Sequence, residues 1–298
     1  MTVIAMTGAT GFVGKAVVAQ ALAAGHHVRA LARRPQPDRA GLHWVAGSLE
    51  DDGALCELAR GADAVIHVAG VVNAPDRSAF VAGNVEGTRA VLAASRGIAR
   101  FVHVSSLAAR EPGLSDYGWS KAEAERLVEA SALPWTIVRP PGIFGPGDLD
   151  QLDLYRLARR GLALLPPPGF LSLIAVEDLA RLLLTLATQE APRTIYEADD
   201  GSEGWTHAAY ARAIGAAVGQ RVLPLHLPPA LLRLAAWVDG RLRGDAARLT
   251  RDRVSYFCHP DWRIDPARRP PAALWRPEVP TTQGLADTAR WYRAQGLL

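Results

Sequence analysis

Residues 7–14 read Thr7-Gly8-Ala9-Thr10-Gly11-Phe12-Val13-Gly14, between an apolar run at 3–6 and an alanine-rich stretch at 12–24. The first run has the character of a buried strand, and the second has the composition of a helix. Glycines at the junction let the backbone turn tightly and let a ligand approach it, because no side chain stands between. The N–H groups that open a helix have no partners within it, so together with the helix dipole they attract phosphate. Strand, glycine turn and helix in this order make a seat for the pyrophosphate of a dinucleotide, with Gly8, Gly11 and Gly14 providing the approach.

The pattern continues outward from this turn. Runs at 28–31, 43–45, 64–68, 101–104 and 135–138 read as strands, and helical stretches fall at 54–60, 77–94 and 117–130. Strands alternating with helices predict an α/β fold, a doubly wound parallel sheet covered on both faces, with ligands at the carboxyl ends of its strands. After Gly145-Pro146-Gly147 the order becomes irregular, with Pro166-Pro167-Pro168 and Pro228-Pro229 between helical segments near 152–160, 175–187, 207–218, 230–242 and 284–293. A soft boundary near 147 is expected. It would separate a dinucleotide-binding core at 1–147 from a smaller, mostly helical substrate-binding region at 148–298, partly interleaved with the core. Trp205, Trp237, Trp262, Trp275 and Trp291 fall in the second half and are expected to fill its core.

The place after the second strand distinguishes NAD from NADP, because an acid there binds the adenosine ribose of NAD. Here it reads Leu31-Ala32-Arg33-Arg34. No carboxylate repels a 2′-phosphate, and Arg33 and Arg34 are suited to bind one, which favours NADP(H) while leaving NAD(H) open.

The candidate for chemistry is Tyr117-Gly118-Trp119-Ser120-Lys121, behind Ser105-Ser106 at the end of a strand. Tyr and Lys four residues apart share a helix face. A phenol is a weak acid near neutral pH, and an adjacent ammonium stabilises its phenolate and lowers its pKa. Lys15 and Lys121 are the two lysines among 33 basic residues, so a lysine inside this motif is informative. An ammonium fits a ribose diol and a phenol better than the planar fork of arginine does.

These stretches, with His67-Val68-Ala69-Gly70, Asn84-Val85-Glu86-Gly87-Thr88, Val104-Ser105-Ser106 and the run from Arg139-Pro140-Pro141-Gly142-Ile143 to Gly147, resemble the extended branch of the short-chain dehydrogenase/reductase superfamily. That branch holds NAD(P)-dependent epimerases, dehydratases and 3β-hydroxysteroid dehydrogenase-like reductases. The first half carries the resemblance, and the second half joins it only through its last helix. The resemblance implies that Tyr117 is the acid/base, that Lys121 holds the nicotinamide ribose and tunes the tyrosine, and that Ser106, in preference to Ser105, binds the reacting oxygen. It also implies a cofactor surface. Thr10, Phe12 and Val13 would join the three glycines, Ser48 and Leu49 would lie near the adenine, and Val68, Ala69 and Gly70 would line the end of the fourth strand. Asn84, Val104, Pro140, Gly142 and Ile143 would complete that surface. The sequence departs from the family at Ser48-Leu49, where many relatives have Asp-Leu, and in the short segment from Ser106 to Tyr117, which implies a trimmed loop.

His67 and His103 lie in apolar strands and are expected to be hydrogen-bonded core histidines. Cys56 and Cys258 are far apart and lack a ligand pattern, so neither a disulfide nor a metal site is expected. A net charge of +3 arises from scattered arginines without a basic run, which argues against nucleic acid. Arg233 and Asp239 interrupt the most apolar segment, 228–242, so no membrane span is expected. The opening residues lack a basic flank, and a cytoplasmic protein acting on a small molecule is expected, with a homodimer left open. Three functions remain: an oxidoreductase moving a hydride between NADP(H) and a carbonyl or secondary alcohol, a sugar-nucleotide epimerase or dehydratase, and a non-catalytic nucleotide-binding assembly subunit.

Overall fold

Val3–Thr7 forms β1 of a computed structural model that describes residues 1–244 and 249–298. Ile4, Ala5 and Met6 are fully buried, as expected of a strand covered on both faces. The chain continues through α1 (Phe12–Ala23), β2 (His27–Ala32), β3 (Leu42–Ala46), α2 (Asp52–Ala59) and β4 (Ala64–His67). Then come α3 (Arg77–Phe80), α4 (Gly87–Ala94), β5 (Arg100–Val104), α5 (Asp116–Glu129) and β6 (Trp135–Val138). The helix expected over 77–94 is interrupted: Val81–Glu86 is a wider π-helical stretch between α3 and α4.

The later elements are β7 (Gly142–Phe144), α6 (Leu152–Ala158), β8 (Leu162–Leu165), β9 (Phe170–Leu171), β10 (Leu173–Ala175), α7 (Val176–Thr188) and β11 (Thr194–Tyr196). They are followed by β12 (Trp205–Thr206), α8 (His207–Val218), β13 (Leu223–His226), α9 (Pro229–Arg243), α10 (Arg251–Phe257), β14 (Asp261–Trp262) and α11 (Thr281–Ala294).

Seven strands form one sheet in the order β11-β6-β5-β4-β1-β2-β3. All its pairings are parallel, so the carboxyl ends of the strands share one edge. Strand order reverses between β1 and β4, where a doubly wound sheet opens a crevice for a ligand. The fold is Rossmann-like, as the alternation of elements predicts. Its core includes Ala5, Leu31, Val45, Leu55, Val65, Phe101 and Ile137.

The sheet belongs to the first of two compact units, Met1–Arg139 with Leu179–Glu197 and Pro270–Trp275. The second unit is Pro140–Asp178, Ala198–Arg269 and Arg276–Leu298. Short strand pairs and helices build it around Phe144, Leu285, Tyr155 and Tyr292, the last two rings meeting edge to face at 5.0 Å. The expectation that the five late tryptophans fill this core needs correction. Trp275 is buried in the first unit, and Trp237 on α9 is 47% exposed, because a single residue of that helix, Ala236, is buried. The indoles of Trp205 and Trp262 donate to Asp200 and to the Tyr256 carbonyl.

Asp148 is a buried carboxyl in the second unit. Its Oδ1 accepts from the Asp150 N–H at 2.8 Å, and its Oδ2 has no hydrogen-bond partner. Burial pushes its pKa up to about 6. Folding therefore favours the neutral acid, and its contribution to stability is present at low pH and lost as pH rises through about 6. Asp148→Asn keeps the acceptor and removes the charge. Its melting temperature is expected to exceed that of the parent by a few degrees at pH 8, reflecting up to about 3 kcal/mol, with the gap closing near pH 4. A constant gap across that range would place the effect elsewhere.

Candidate active site

The glycine turn is held by backbone packing. Gly8 has φ +73°, and a Cβ there would lie 2.6 Å from the Ala69 nitrogen. A Cβ on Gly14 would lie 2.0 Å from the Gly8 carbonyl oxygen, so α1 rests directly on the turn. Val68 and Ala69, at the end of β4, thus meet Gly8. Gly11 caps α1 from extended backbone without a side-chain bond, and no acid occupies the first turn of the helix. The opening N–H groups and the positive end of the dipole are accordingly suited to an anion. Thr10 and Gly11 are exposed, and Phe12 and Val13 are half-buried. A dinucleotide pyrophosphate fits this cradle, since side chains at these glycines would fill it.

Arg33 and Arg34 follow the end of β2 and are exposed. Beyond β3, the Ser48 hydroxyl accepts from the Glu50 N–H, and Leu49 covers Gly87, where a Cβ would come within 2.7 Å of the Leu49 side chain.

Ser115 starts α5 by accepting from the Gly118 N–H at 2.9 Å, and Asp116 lies in its first turn, where the dipole favours an acid. This start fixes Tyr117 and Lys121 one turn apart. The ring of Tyr117 is half-buried, 6.2 Å from that of Phe80. The Lys121 ammonium is buried and donates to the Val104 carbonyl at 2.8 Å. Burial draws its pKa down to about 8, opposed by Glu125 one turn further on. Glu125 in turn accepts from Arg139 at 2.8 and 2.6 Å, and Arg139 and Arg110 also bind the buried Glu197. The short segment between Ser106 and Tyr117 is anchored through Arg110.

The paired serines have different environments. The Ser105 hydroxyl is buried without a partner, whereas the half-buried Ser106 oxygen accepts from the Ala108 N–H and keeps its own proton to donate.

The π-helical stretch aims Asn84 at the same place. Asn84 Oδ1 accepts from the Val71 N–H at 2.6 Å, and its amide donates to the Val71 carbonyl and the Ser120 hydroxyl, both at 2.9 Å. A Cβ on Gly70 would lie 3.0 Å from Asn84 Oδ1 and 3.7 Å from Lys121 Nζ. Gly70, Asn84, Val104 and Lys121 therefore converge. Sequence reasoning missed Ser120, although it stands inside the Tyr-Lys motif. Its hydroxyl accepts from Asn84 and donates to the Tyr117 carbonyl, tying α5 to the π-helix.

Sequence reasoning also missed a buried chain of polar groups that links the glycine turn to that helix. The Ala69 N–H donates to Thr7 Oγ1, Thr7 meets His67 Nδ1 at 2.7 Å, and His67 Nε2 meets Thr88 Oγ1 at 3.0 Å. Thr88 donates to the Asn84 carbonyl, so it must accept from His67. His67 consequently carries its proton on Nε2 and accepts at Nδ1. Burial lowers its pKa to about 3 and keeps it neutral. His103 departs from expectation. It is buried, its ring centre lies 5.3 Å from that of His67, its register partner on β4, and neither of its nitrogens has a hydrogen-bond partner. Burial holds its pKa well below the usual value.

Pro140, Gly142 and Ile143 belong to the second unit. There β7 pairs in parallel with β10, and the Ile143 carbonyl accepts from Gln151 at 2.7 Å.

A family model described as NAD(P)H-binding matches residues 8–190. The chain belongs to this family. Its place in the extended short-chain dehydrogenase/reductase superfamily, expected from the motifs, holds with it. The chain is 36% identical to a ceramide reductase of Caulobacter vibrioides, over 99% of this chain and 96% of that protein. It is 30% identical to a putative dihydroflavonol 4-reductase of Synechocystis, over 98% and 94%. Among solved structures, MoeE5 in complex with UDP-glucuronic acid and NAD aligns with a TM-score of 0.74, at 22% identity, over 99% of this chain and all of that one. At that identity the likeness shows the fold. The protein is an NAD(P)-dependent enzyme with the character of an oxidoreductase, which removes the reading as a non-catalytic assembly subunit. No helix among the described residues is long and apolar enough to cross a membrane.

Proposed function

We propose that this enzyme reduces a carbonyl group to a secondary alcohol, or runs the reverse reaction, with NADP(H) as the preferred cofactor. The observation that carries the reading is the buried Lys121 ammonium, one turn after Tyr117 and beside Gly70 and Asn84. When bound, the nicotinamide supplies or accepts the hydride. Tyr117 gives its phenolic proton to the substrate oxygen in reduction and takes one back in oxidation. Lys121 spends one donor on the Val104 carbonyl, leaving two for the nicotinamide ribose and the Tyr117 phenol. Its positive charge favours the phenolate that remains after proton transfer. Ser106 keeps its proton and donates a hydrogen bond to the reacting oxygen. Gly8, Thr10, Gly11, Phe12, Val13 and Gly14 hold the pyrophosphate side, and Arg33 and Arg34 take the 2′-phosphate. The reductase names of the two relatives favour net reduction over epimerisation.

Titration with both cofactors tests the reading. NADPH should bind tenfold to a hundredfold more tightly than NADH, given roughly 1.5–3 kcal/mol for a charge-assisted contact. Replacing Arg33 and Arg34 with serine should erase most of the difference. Equal affinities in the parent would defeat the NADP(H) assignment. Conversion of a sugar nucleotide without net change in nicotinamide absorbance would move the reaction to epimerisation.

A further inference from the structure

Helix α9 turns its apolar side outward. Its fifteen residues, Pro229–Arg243, include one buried side chain, that of Ala236. Leu231, Leu234, Val238 and Leu242 recur at three- and four-residue spacing and so share a face, with Trp237 at its margin. Leu234 is 56% and Leu242 80% exposed. A surface helix bathed in water normally shows the reverse arrangement. Arginines lie along the same helix. Arg241 is set over the ring of Trp237, 5.1 Å from its centre, and Arg233 precedes the cluster, while Arg243 pairs with Asp239 at 3.3 Å. The same unit exposes Leu164 and Leu225, which are register partners on β8 and β13, and Leu223 beside them.

We propose that α9 is a membrane-surface helix that docks this protein on a bilayer rich in anionic lipid. Fifteen residues span about 22 Å, too short to cross the hydrocarbon, so the helix lies in the plane of the interface. Leucines and Trp237 enter the boundary between headgroups and acyl chains, where indole is favoured. Arg233 and Arg241 reach out to lipid phosphates while their stems stay among apolar groups. Charge decides for this occupant over a second copy of the chain. A two-fold contact sets a patch against itself and would bring these arginines together, whereas an anionic surface complements them. The proposal does not rest on the reduction chemistry, since the helix shares no residue with the site that would bind NADPH.

The test is sedimentation of the purified full chain with vesicles of phosphatidylcholine, with and without about 30% phosphatidylglycerol, at low and high salt. The partition coefficient should be at least about tenfold higher with anionic vesicles and should fall at high salt. The triple variant Leu234→Ser, Trp237→Ser, Leu242→Ser alters exposed positions, so it should keep NADPH affinity while losing the vesicles. Arg233→Gln with Arg241→Gln should lose the salt-sensitive part of binding. The proposal is overturned if the parent ignores both vesicle types, if neutral and anionic vesicles bind alike, or if the triple variant sediments as the parent does. It is equally overturned if the parent is a dimer that the triple variant dissociates and neither binds vesicles.

Discussion

Phenylalanine at position 117 is expected to lower turnover by roughly 10² to 10⁴, the loss typical of a positioned general acid. The substitution removes an oxygen and a proton and keeps the ring that packs near Phe80. The backbone carbonyl that accepts from Ser120 is also unchanged, so α5 keeps its tie to Asn84. The glycine turn, which on the proposed reading holds the pyrophosphate, is untouched by the change, so NADPH affinity should stay within a few-fold. Steady-state rates on any accepted carbonyl compound, with a cofactor titration on the same preparations, measure both quantities. Unchanged turnover would transfer the proton donor to another group, with Ser106 the next to examine.

Arginine at position 121 should be damaging in a different way, weakening cofactor binding and turnover together. The ammonium sits in a buried space bounded by the Val104 carbonyl, Gly70 and Asn84. A guanidinium is larger and planar, cannot deliver three compact donors there, and would push against the Asn84 amide. A loss of 10² or more in kcat/KM is expected, with NADPH affinity down at least about tenfold. The parent should show a matching pH effect. The lysine is charged below its pKa of about 8 and neutral above it, so kcat/KM for reduction should decline as pH rises through that range. If Lys121→Arg binds NADPH normally but turns over poorly, the lysine acts through Tyr117 alone and its role at the ribose falls away.

The first half of the fold was readable because its strands, the edge strand β3 apart, are largely buried on both faces and each helix has its own composition. Six strands and α1 follow from apolar runs and glycine positions. What escaped depends on contacts distant in sequence. β11 is three residues long and is a strand because Ile195 pairs with Ile137 of β6, which no local period announces. β9, β12 and β14 are two residues each, too short for any alternation to register. The widened turn at Val81–Glu86 is set by Asn84 reaching Val71, a tertiary event within a stretch whose composition is plainly helical. His67 and His103 look alike in sequence, each in an apolar strand. They differ because Thr7 and Thr88 hydrogen-bond the ring of one, whereas neither ring nitrogen of the other has a hydrogen-bond partner. The glycines, Tyr117 and Lys121 were visible from spacing, whereas the grip of Ser120 on Asn84 needed the fold.

The interleaving of the two units bears on how the protein is made. The outer edge of β6 has no partner until β11 has left the ribosome, after the whole of Pro140–Asp178 has been synthesised. Pro270–Trp275, also part of the first unit, arrives later still. A chain released after residue 147 would present β6 as an open parallel edge, the kind of surface that recruits other strands. The nucleotide-binding sheet is therefore completed late in translation. A fragment cut at that point is a poor candidate for expression on its own, and a chaperone that shields the β6 edge would act during the window before Thr194 emerges.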